Sequence, residues 1–401
     1  MSHWIIRDAT VFLGEHCNTG QVDLELRDGK ISQIGKVESA PGIAEIDGKG
    51  MYVSAGWIDI HVHVFEGIGI FSVPPGTVGL QRGVTTLLDA GTAGALTFEA
   101  FDKFVSDPAA EDVYALLNIS LIGAIHGYPT VEPIMGEFCD VRYANVPAAV
   151  KAARQYPDSI VGFKVRLTDV LADNCEEIER AALQATVSAS TEFGLPFMVH
   201  HHSSNLSPEE VLGAMRAGDI LTHLYNPSRS RPFDPSGRPL ECLLEARQRG
   251  VLLDVGHGIG SFSWEVAEAA CADYDFWPDT ISTDTHSFCL QGPVFDLATT
   301  MTKFLHLGMP LSDVVAACTV NAARALGKGH RHGVIELGRE ADLTLFRLEE
   351  GEWPLYDVYG DLRMTHVRFR PEHTFKRGTH FHCAAPSPVI LEEMELVASR
   401  S

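Results

Sequence analysis

The sequence predicts an α/β fold: a (β/α)8, TIM-like barrel with β-rich stretches at both chain ends. Residues 57–286 hold eight short apolar runs, and segments compatible with helix separate most of them. Strands this apolar are expected where both faces of a sheet are buried. Eight strand–helix units over about 250 residues is the arithmetic of such a barrel. A doubly wound open sheet is the alternative, but no glycine-rich phosphate fingerprint follows the first strand.

The first 55 residues read as short strands with turns, broken at Asp28-Gly29 and Asp47-Gly48. Asp-Gly between apolar runs is a hairpin signal. The barrel strands are then expected at 57–65, 84–91, 114–125, 160–167, 196–202, 220–226, 251–258 and 280–286. NCEEIERAALQATVSASTEFG and PEEVLGAMRAG are two of the intervening helical candidates. Strand-like texture returns in GVIELGREADLTLFRL, LRMTHVRF and TFKRGTHFHC, and the tail LEEMELVASRS reads as a short helix or a frayed end.

Composition narrows the function classes. The 401 residues carry 53 Asp+Glu against 31 Lys+Arg, a formal net charge of −22. Binding nucleic acid or an anionic membrane rests on Lys and Arg neutralising phosphates, so neither is an expected partner. No apolar run approaches the roughly 18 residues that suggest a membrane span. The N-terminus lacks the basic and apolar regions of a signal peptide. Eight cysteines are scattered without a CxxC pair, which fits a reducing, cytoplasmic setting.

The chemistry sits at the strand ends. Nine of 18 histidines (61, 63, 126, 200, 201, 202, 223, 257 and 286) fall at or just past the C-terminal ends of the expected strands, where barrels build active sites. His61 and His63, two apart on one strand, leave the same face and could share a metal; ordinary histidines are the plainer reading of a lone His-x-His. Lys164 lies inside GFKVR on a strand expected to be buried. A buried unpaired ammonium is costly, so the plain reading is a lysine paired with a carboxylate or snorkelling at the strand end, and the functional one is a neutral lysine beside metals that carries CO2 as a bridging carbamate. His200, His223 and Asp284 end the fifth, sixth and eighth runs. This thiolate-free set suits Zn, and also Mn, Fe or Ni.

The order His-x-His, Lys, His, His, Asp on strands one, four, five, six and eight resembles the amidohydrolase superfamily, in its binuclear members with a carboxylated lysine. GWIDIHVHVF also matches that family's opening motif, with Gly56 and Asp59 ahead of the histidines. The resemblance implies a small β-sandwich domain from residues 1–55 and 330–385, a metallohydrolase barrel over 56–329, and a tail over 386–401. It implies that His61, His63 and Asp284 hold the more buried metal and His200 and His223 the second. Carbamylated Lys164 would bridge the two ions. The implied reaction is hydrolysis of an amide or ester by a metal-bridging hydroxide, with Asp284 as general base and then acid. A homo-oligomer is a family expectation. Phosphotriester hydrolysis, known in relatives, is less favoured, because those usually lack the terminal β-domain.

Substrate features depart from the family's dihydroorotases. Phe65 stands where they usually carry an arginine for the substrate carboxylate, and Asp284-Thr285-His286 replaces their Asp followed by a Pro-His pair. STDTH followed by PVFDLATTMTKFL is more similar to a dihydroorotase-like branch that includes deacetylases. The expected substrate is therefore a small carboxylate: an N-acyl amino acid or O-acyl α-hydroxy acid losing its acyl group, acetyl above all. Arg166, two residues beyond Lys164, could grip the substrate carboxylate or form a structural ion pair. Arg229 and Arg231, in the loop YNPSRSRP that opens with Asn226, are the rivals. Asn226, His257 and His286 complete the candidate substrate contacts, His257 as donor to the carbonyl oxygen or else as a hydrogen-bonded scaffold histidine. His126, His201 and His202 carry no assignment, with His201 expected to face away from His200. The alternatives are a cyclic amidohydrolase, of dihydroorotase or hydantoinase type, and a non-catalytic dihydroorotase-like scaffold. Scaffolds of that kind characteristically lose metal ligands, and all six are present here.

Overall fold

A computed structural model describes residues 3–39, 41–69, 71–125 and 136–385. His126 and the tail over 386–401 lie outside the described residues. β1 (His3–Leu13), β2 (Asn18–Arg27) and β3 (Lys30–Ile34) form an antiparallel meander. Asp28 and Gly29 have φ of 51° and 79°, the both-positive geometry of the tight hairpin turn that Asp-Gly favours.

Asp47-Gly48 departs from the hairpin expected there. β4 (Ala44–Asp47) and β5 (Tyr52–Ala55) both run parallel to β1, pairing first with Trp4–Arg7 and then with Thr10–Val11. The chain sidesteps along one edge instead of reversing. β1 is irregular between Ile6 and Ala9, and there the Gly48 amide donates to the Arg7 carbonyl at 2.8 Å. A local turn signal does not encode which edge its flanking strands will join.

Seven parallel strands follow, each hydrogen-bonded to the next: β6 (Trp57–Val62), β7 (Val84–Gly94), β8 (Asp112–Asn118), β9 (Ile160–Leu167), β10 (Phe197–His201), β11 (Ile220–Thr222) and β12 (Leu252–Leu253). β6, β7 and β8 are buried along their whole length, as expected for strands enclosed by helices. The eighth expected strand, over 280–286, is not regular. Its backbone bridges Asp254 through Thr280 on one side and Val62 through Thr285 on the other. The Asp284 amide donates to the His61 carbonyl at 2.7 Å, so the segment closes the barrel between β12 and β6. It fails as a strand because Asp284 turns left-handed, with φ of 51°.

Both helical candidates form. Glu176–Phe193 ends on left-handed Gly194, with φ of 81°, which satisfies its last carbonyls without steric cost. Pro208–Ala214 starts at Ser207, whose hydroxyl accepts from the Glu210 amide. Ile58, Ile60, Leu88, Leu116, Met198 and Ile220 make one buried cluster with Ala322 and Ala323 of the helix Val320–Ala325. This packing fills the barrel floor and leaves polar chemistry to the other mouth.

The chain then returns to the first sheet. β13 (Leu343–Tyr356), β14 (Leu362–Lys376) and β15 (Thr379–His382) extend it in the order β15-β14-β13-β5-β1-β2-β3, with β4 also on β1. Lys30 bridges Glu340, so the segment leading into β13 lies against β3 and the sheet wraps its own core. Ile6, Val11, Leu24, Leu26, Val53, Leu343, Leu345 and Phe375 fill that core. The fold is thus a TIM-like barrel with a β-sandwich built from both chain ends. Among the described residues no helix is long and apolar enough to cross a membrane.

Candidate metal centre

The ends of β6, β9, β10 and β11 and the closing segment at Asp284 converge on one point. Asp284 Oδ1 lies 3.3 Å from His61 Nε2 and 3.1 Å from His63 Nε2. Two donors on one tetrahedral zinc, each about 2.1 Å from it, are about 3.4 Å apart, so these atoms already stand close to ligand spacing. Lys164 Nζ is 3.4 Å from His61 Nε2. The rings of His200 and His223 stand nearly perpendicular with centroids 4.3 Å apart, and His223 is 5.1 Å from His61. The structure thus brings together all six residues that the sequence nominated.

Orientation comes from two relays of the same design. His61 Nδ1 meets Thr222 Oγ1 at 2.9 Å, and that hydroxyl donates to Asp254 Oδ2 at 2.7 Å. His63 Nδ1 meets Thr92 Oγ1 at 2.7 Å, and Asp89 accepts from both the amide and the hydroxyl of Thr92. Each hydroxyl spends its proton on the carboxylate and so accepts from the imidazole. This fixes the N–H tautomer and turns the Nε2 lone pairs toward Asp284. His223 Nδ1 donates to the Gly256 carbonyl at 2.6 Å, leaving a buried Nε2 with no hydrogen-bond partner among the described residues. A buried acceptor without a partner costs about 1–3 kcal/mol, and a metal ion would satisfy it.

Electrostatics agree with metal-ready donors. Burial holds His63 and His223 down at about 3, and it drives His61 and His200 well below the ordinary histidine value. All four rings are therefore neutral at pH 7. Burial also pushes Lys164 down to about 7 against the pull of Asp284. Among the described residues its other hydrogen-bond partner is the Met198 sulfur at 3.1 Å. Gly91 makes room for it, since a β-carbon there would lie 2.6 Å from Lys164 Cγ. Neutral amine is the form that adds CO2, so the pocket fits a carbamate.

Two candidate ligand positions carry backbone strain. His223 and Asp284 have φ of 62° and 51°, the left-handed region that residues other than glycine seldom adopt. Asp59 secures the Asp284 segment by accepting from the Thr283 amide at 3.1 Å and its hydroxyl at 2.6 Å.

The remaining candidates divide. Arg166 is held by the buried carboxylate of Glu137, which also accepts from Asn118 Nδ2 at 3.1 Å, so the structural ion pair is what forms. Arg229 is engaged with Asp169 at 2.7 Å and with Asn205. The Arg231 guanidinium makes no hydrogen bond or ion pair with the described residues. Asn226 braces its own loop, donating to the His223 carbonyl and accepting from Ser228. Of its two expected roles His257 takes the scaffold one, since its Nδ1 donates to the Gly258 carbonyl at 2.9 Å and its Nε2 accepts from Lys303. No N–H is left for a substrate. His286 is buried beside His63, with ring centroids 6.5 Å apart. His201 turns away as expected, to the Leu206 carbonyl, and His202 binds the Gly260 carbonyl.

Sequence reasoning missed Thr92, Thr222, Asp89, Asp254, Glu137 and Lys303. Only the two aspartates carried a signal, each following a Leu-Leu pair inside an apolar run.

A barrel of this kind, with nitrogen and oxygen donors gathered at its mouth, has the build of a metal-dependent hydrolase. The chain belongs to the amidohydrolase family, whose model matches residues 52–380. A deacetylase from Brucella anthropi is 33% identical over 362 residues, covering 90% of this chain and 87% of that protein. A deacetylase from Enterococcus faecalis is 32% identical over 375 residues, covering 92% and 98%. A solved dihydroorotase structure superposes with a TM-score of 0.87 at 30% identity, covering 97% of this chain and 100% of that one. The protein is accordingly a hydrolase acting on C–N bonds.

Proposed function

We propose that the protein is a binuclear zinc deacetylase that removes a small acyl group, acetyl above all, from an N-acyl amino acid or an O-acyl α-hydroxy acid. The observation that carries this reading is the pair of His–Thr–Asp relays aiming His61 and His63 Nε2 at Asp284, beside the unpartnered Nε2 of His223. The deacetylases that match most of the chain support the reaction class. His61, His63 and Asp284 would hold one ion and His200 and His223 the other, with Lys164 as carbamate between them. When bound, such ions supply hydroxide near neutral pH and polarise the scissile carbonyl.

The protein's own groups do the rest. Asp284 Oδ2, the oxygen opposite the one facing His61 and His63, takes the proton released as water oxygen adds to the acyl carbon. The same oxygen then delivers that proton to the leaving nitrogen or alkoxide as the C–N or C–O bond breaks. Arg231, whose guanidinium is uncommitted among the described residues, is the group to bind the substrate carboxylate bidentately. Arg166 and Arg229 already have carboxylate partners.

A cyclic amidohydrolase is the second reading, favoured by the dihydroorotase superposition. Against it, Phe65 is buried and packs on Phe101 with centroids 5.3 Å apart, so that position offers no cation to a ring carboxylate. The deciding experiment is a panel on zinc-loaded enzyme: N-acetyl amino acids of both chiralities, O-acetyl hydroxy acids, dihydroorotate and hydantoins. Release of acetate from the open-chain compounds is the expected result. Turnover of the rings alone would replace the deacetylase reading with the second one.

A further inference from the structure

A second cluster of histidines lies on the hairpin β14–β15, in the sheet built from both chain ends. The turn Arg377-Gly378 has φ of 47° and 72° and sets the register. His373 faces His382, and Phe375 faces His380. Because side chains alternate along strands, His373, His380 and His382 share one face. Their ring centroids are 4.6–5.3 Å apart in every pairing, and one ring nitrogen of each lies within 4.8 Å of the others. His380 Nε2 and His373 Nδ1 are 3.0 Å apart, a few tenths inside the roughly 3.4 Å between two ligands of one tetrahedral zinc.

No carboxylate hydrogen-bonds any of the three among the described residues, so an ion-paired histidine network is not what gathers them. Burial and the two facing imidazoles hold His380 down at about 4, and His373 is lowered as well, which leaves lone pairs rather than charges on these two rings at neutral pH. Trp4 covers one side, its ring centroid 4.7 Å from His380, and His382 is exposed on the other.

A third acid–histidine group, Asp112, His332 and Asp342, differs in kind. The Lys376 ammonium sits between its two carboxylates at 2.6 Å from each and takes the place a cation would fill.

We propose that His373, His380 and His382 form a divalent-metal site on the sandwich domain, separate from the catalytic centre. The site would take Zn2+ through three imidazole nitrogens with a fourth position open to solvent. A His-x-His pair on one strand with a third histidine directly opposite provides three donors on one side of an ion. Imidazole donors also suit Cu2+ and Ni2+. The ion would clamp the edge strand β15 to β14.

The test uses untagged holoenzyme equilibrated in zinc buffers at micromolar free Zn2+. Metal content is compared between wild type and His382→Ala, an exposed position whose loss spares the core. The expected result is one equivalent of zinc fewer per chain in the variant, with deacylation unchanged. Cu2+ is the second probe: it should saturably quench the Trp4 share of the emission of the five tryptophans in wild type, a share absent from a Trp4→Phe control, and should do so at least about tenfold more weakly in H382A, the loss expected of a removed ligand. His380→Asn should behave like H382A. Equal zinc content together with equal quenching would overturn the site. Because the readout is a difference between variants, it stands whatever the catalytic centre holds.

Discussion

Replacing Lys303 with Met should change the way stability responds to pH. Lys303 lies on the helix Leu297–His306 with no exposed surface. Its Nζ donates to His257 Nε2, to the Pro293 carbonyl at 3.1 Å and to the Tyr356 carbonyl of β13. Phe262 and Trp264 flank it, with ring centroids 5.3 Å and 5.9 Å away. Burial brings its pKa from 10.5 to about 7. Between those values the unfolded chain keeps a proton that the folded protein has released, so stability rises with pH at about 1.4 kcal/mol per unit. The gain is complete above the unfolded value and is lost as pH falls through the folded one. From pH 7 to pH 9 the half-titrated start trims the integral to about 2 kcal/mol.

Methionine is of similar length and does not titrate. The contribution therefore appears as a difference: wild type should gain about 2 kcal/mol on Lys303→Met over this window. The other titrating groups, Lys164 included, cancel in the comparison. Urea unfolding of both proteins at pH 7, 8 and 9, loaded with the same metal, measures the gap. A gap that stays constant, or that narrows in favour of the variant as pH rises, would refute the idea that the ammonium is buried against its charge.

Four further outcomes follow from the geometry of the centre. Asp284→Asn should lower kcat by about 10²–10⁴-fold by removing the proton carrier, while unfolding shows a folded chain. Thr222→Val breaks the relay to His61 and should weaken metal retention against a chelator by about 10–100-fold, with less effect on the midpoint of unfolding. Apoenzyme reloaded with zinc in CO2-free buffer should recover activity only when bicarbonate is added, and Lys164→Ala should not recover at all; full recovery without bicarbonate would remove the carbamate from the reading. Arg231→Ala should raise KM for acyl amino acids while leaving kcat nearly unchanged, the signature of lost uniform binding, and matched substrates with an amidated carboxylate should show no such difference.

The barrel and its six candidate ligands were legible because polar residues interrupt apolar runs, and an apolar run is the strongest local signal a buried parallel strand emits. Lys164 in GFKVR and His200 at the end of PFMVH stand out for that reason. The sandwich was legible as texture but not as topology, since Asp47-Gly48 has the composition of a hairpin and the geometry of a sidestep along β1. The closing segment was legible as an element but not as an irregular one. Thr280, Ile281 and Thr283 have the composition of a strand, and the left-handed turn at Asp284 follows from ties to Asp59 and β6, which are remote in sequence.

Lys303 was illegible for a different reason. In LATTMTKFLH a lysine reads as the wet face of a helix, and only the packing of β13 and the Phe262 loop over that face makes it interior. Glu137 was illegible because its partner Arg166 is 29 residues away and on another element. Asp89 and Asp254 belong with Lys164. A carboxylate directly after Leu-Leu in an expected barrel strand is as costly to bury unpaired as an ammonium, and the same argument that singled out the lysine applies to both. That cost marks the carboxylate ends of the two relays in the sequence. Their threonines still need the fold, because a hydroxyl in a strand is cheap to bury and marks nothing by itself.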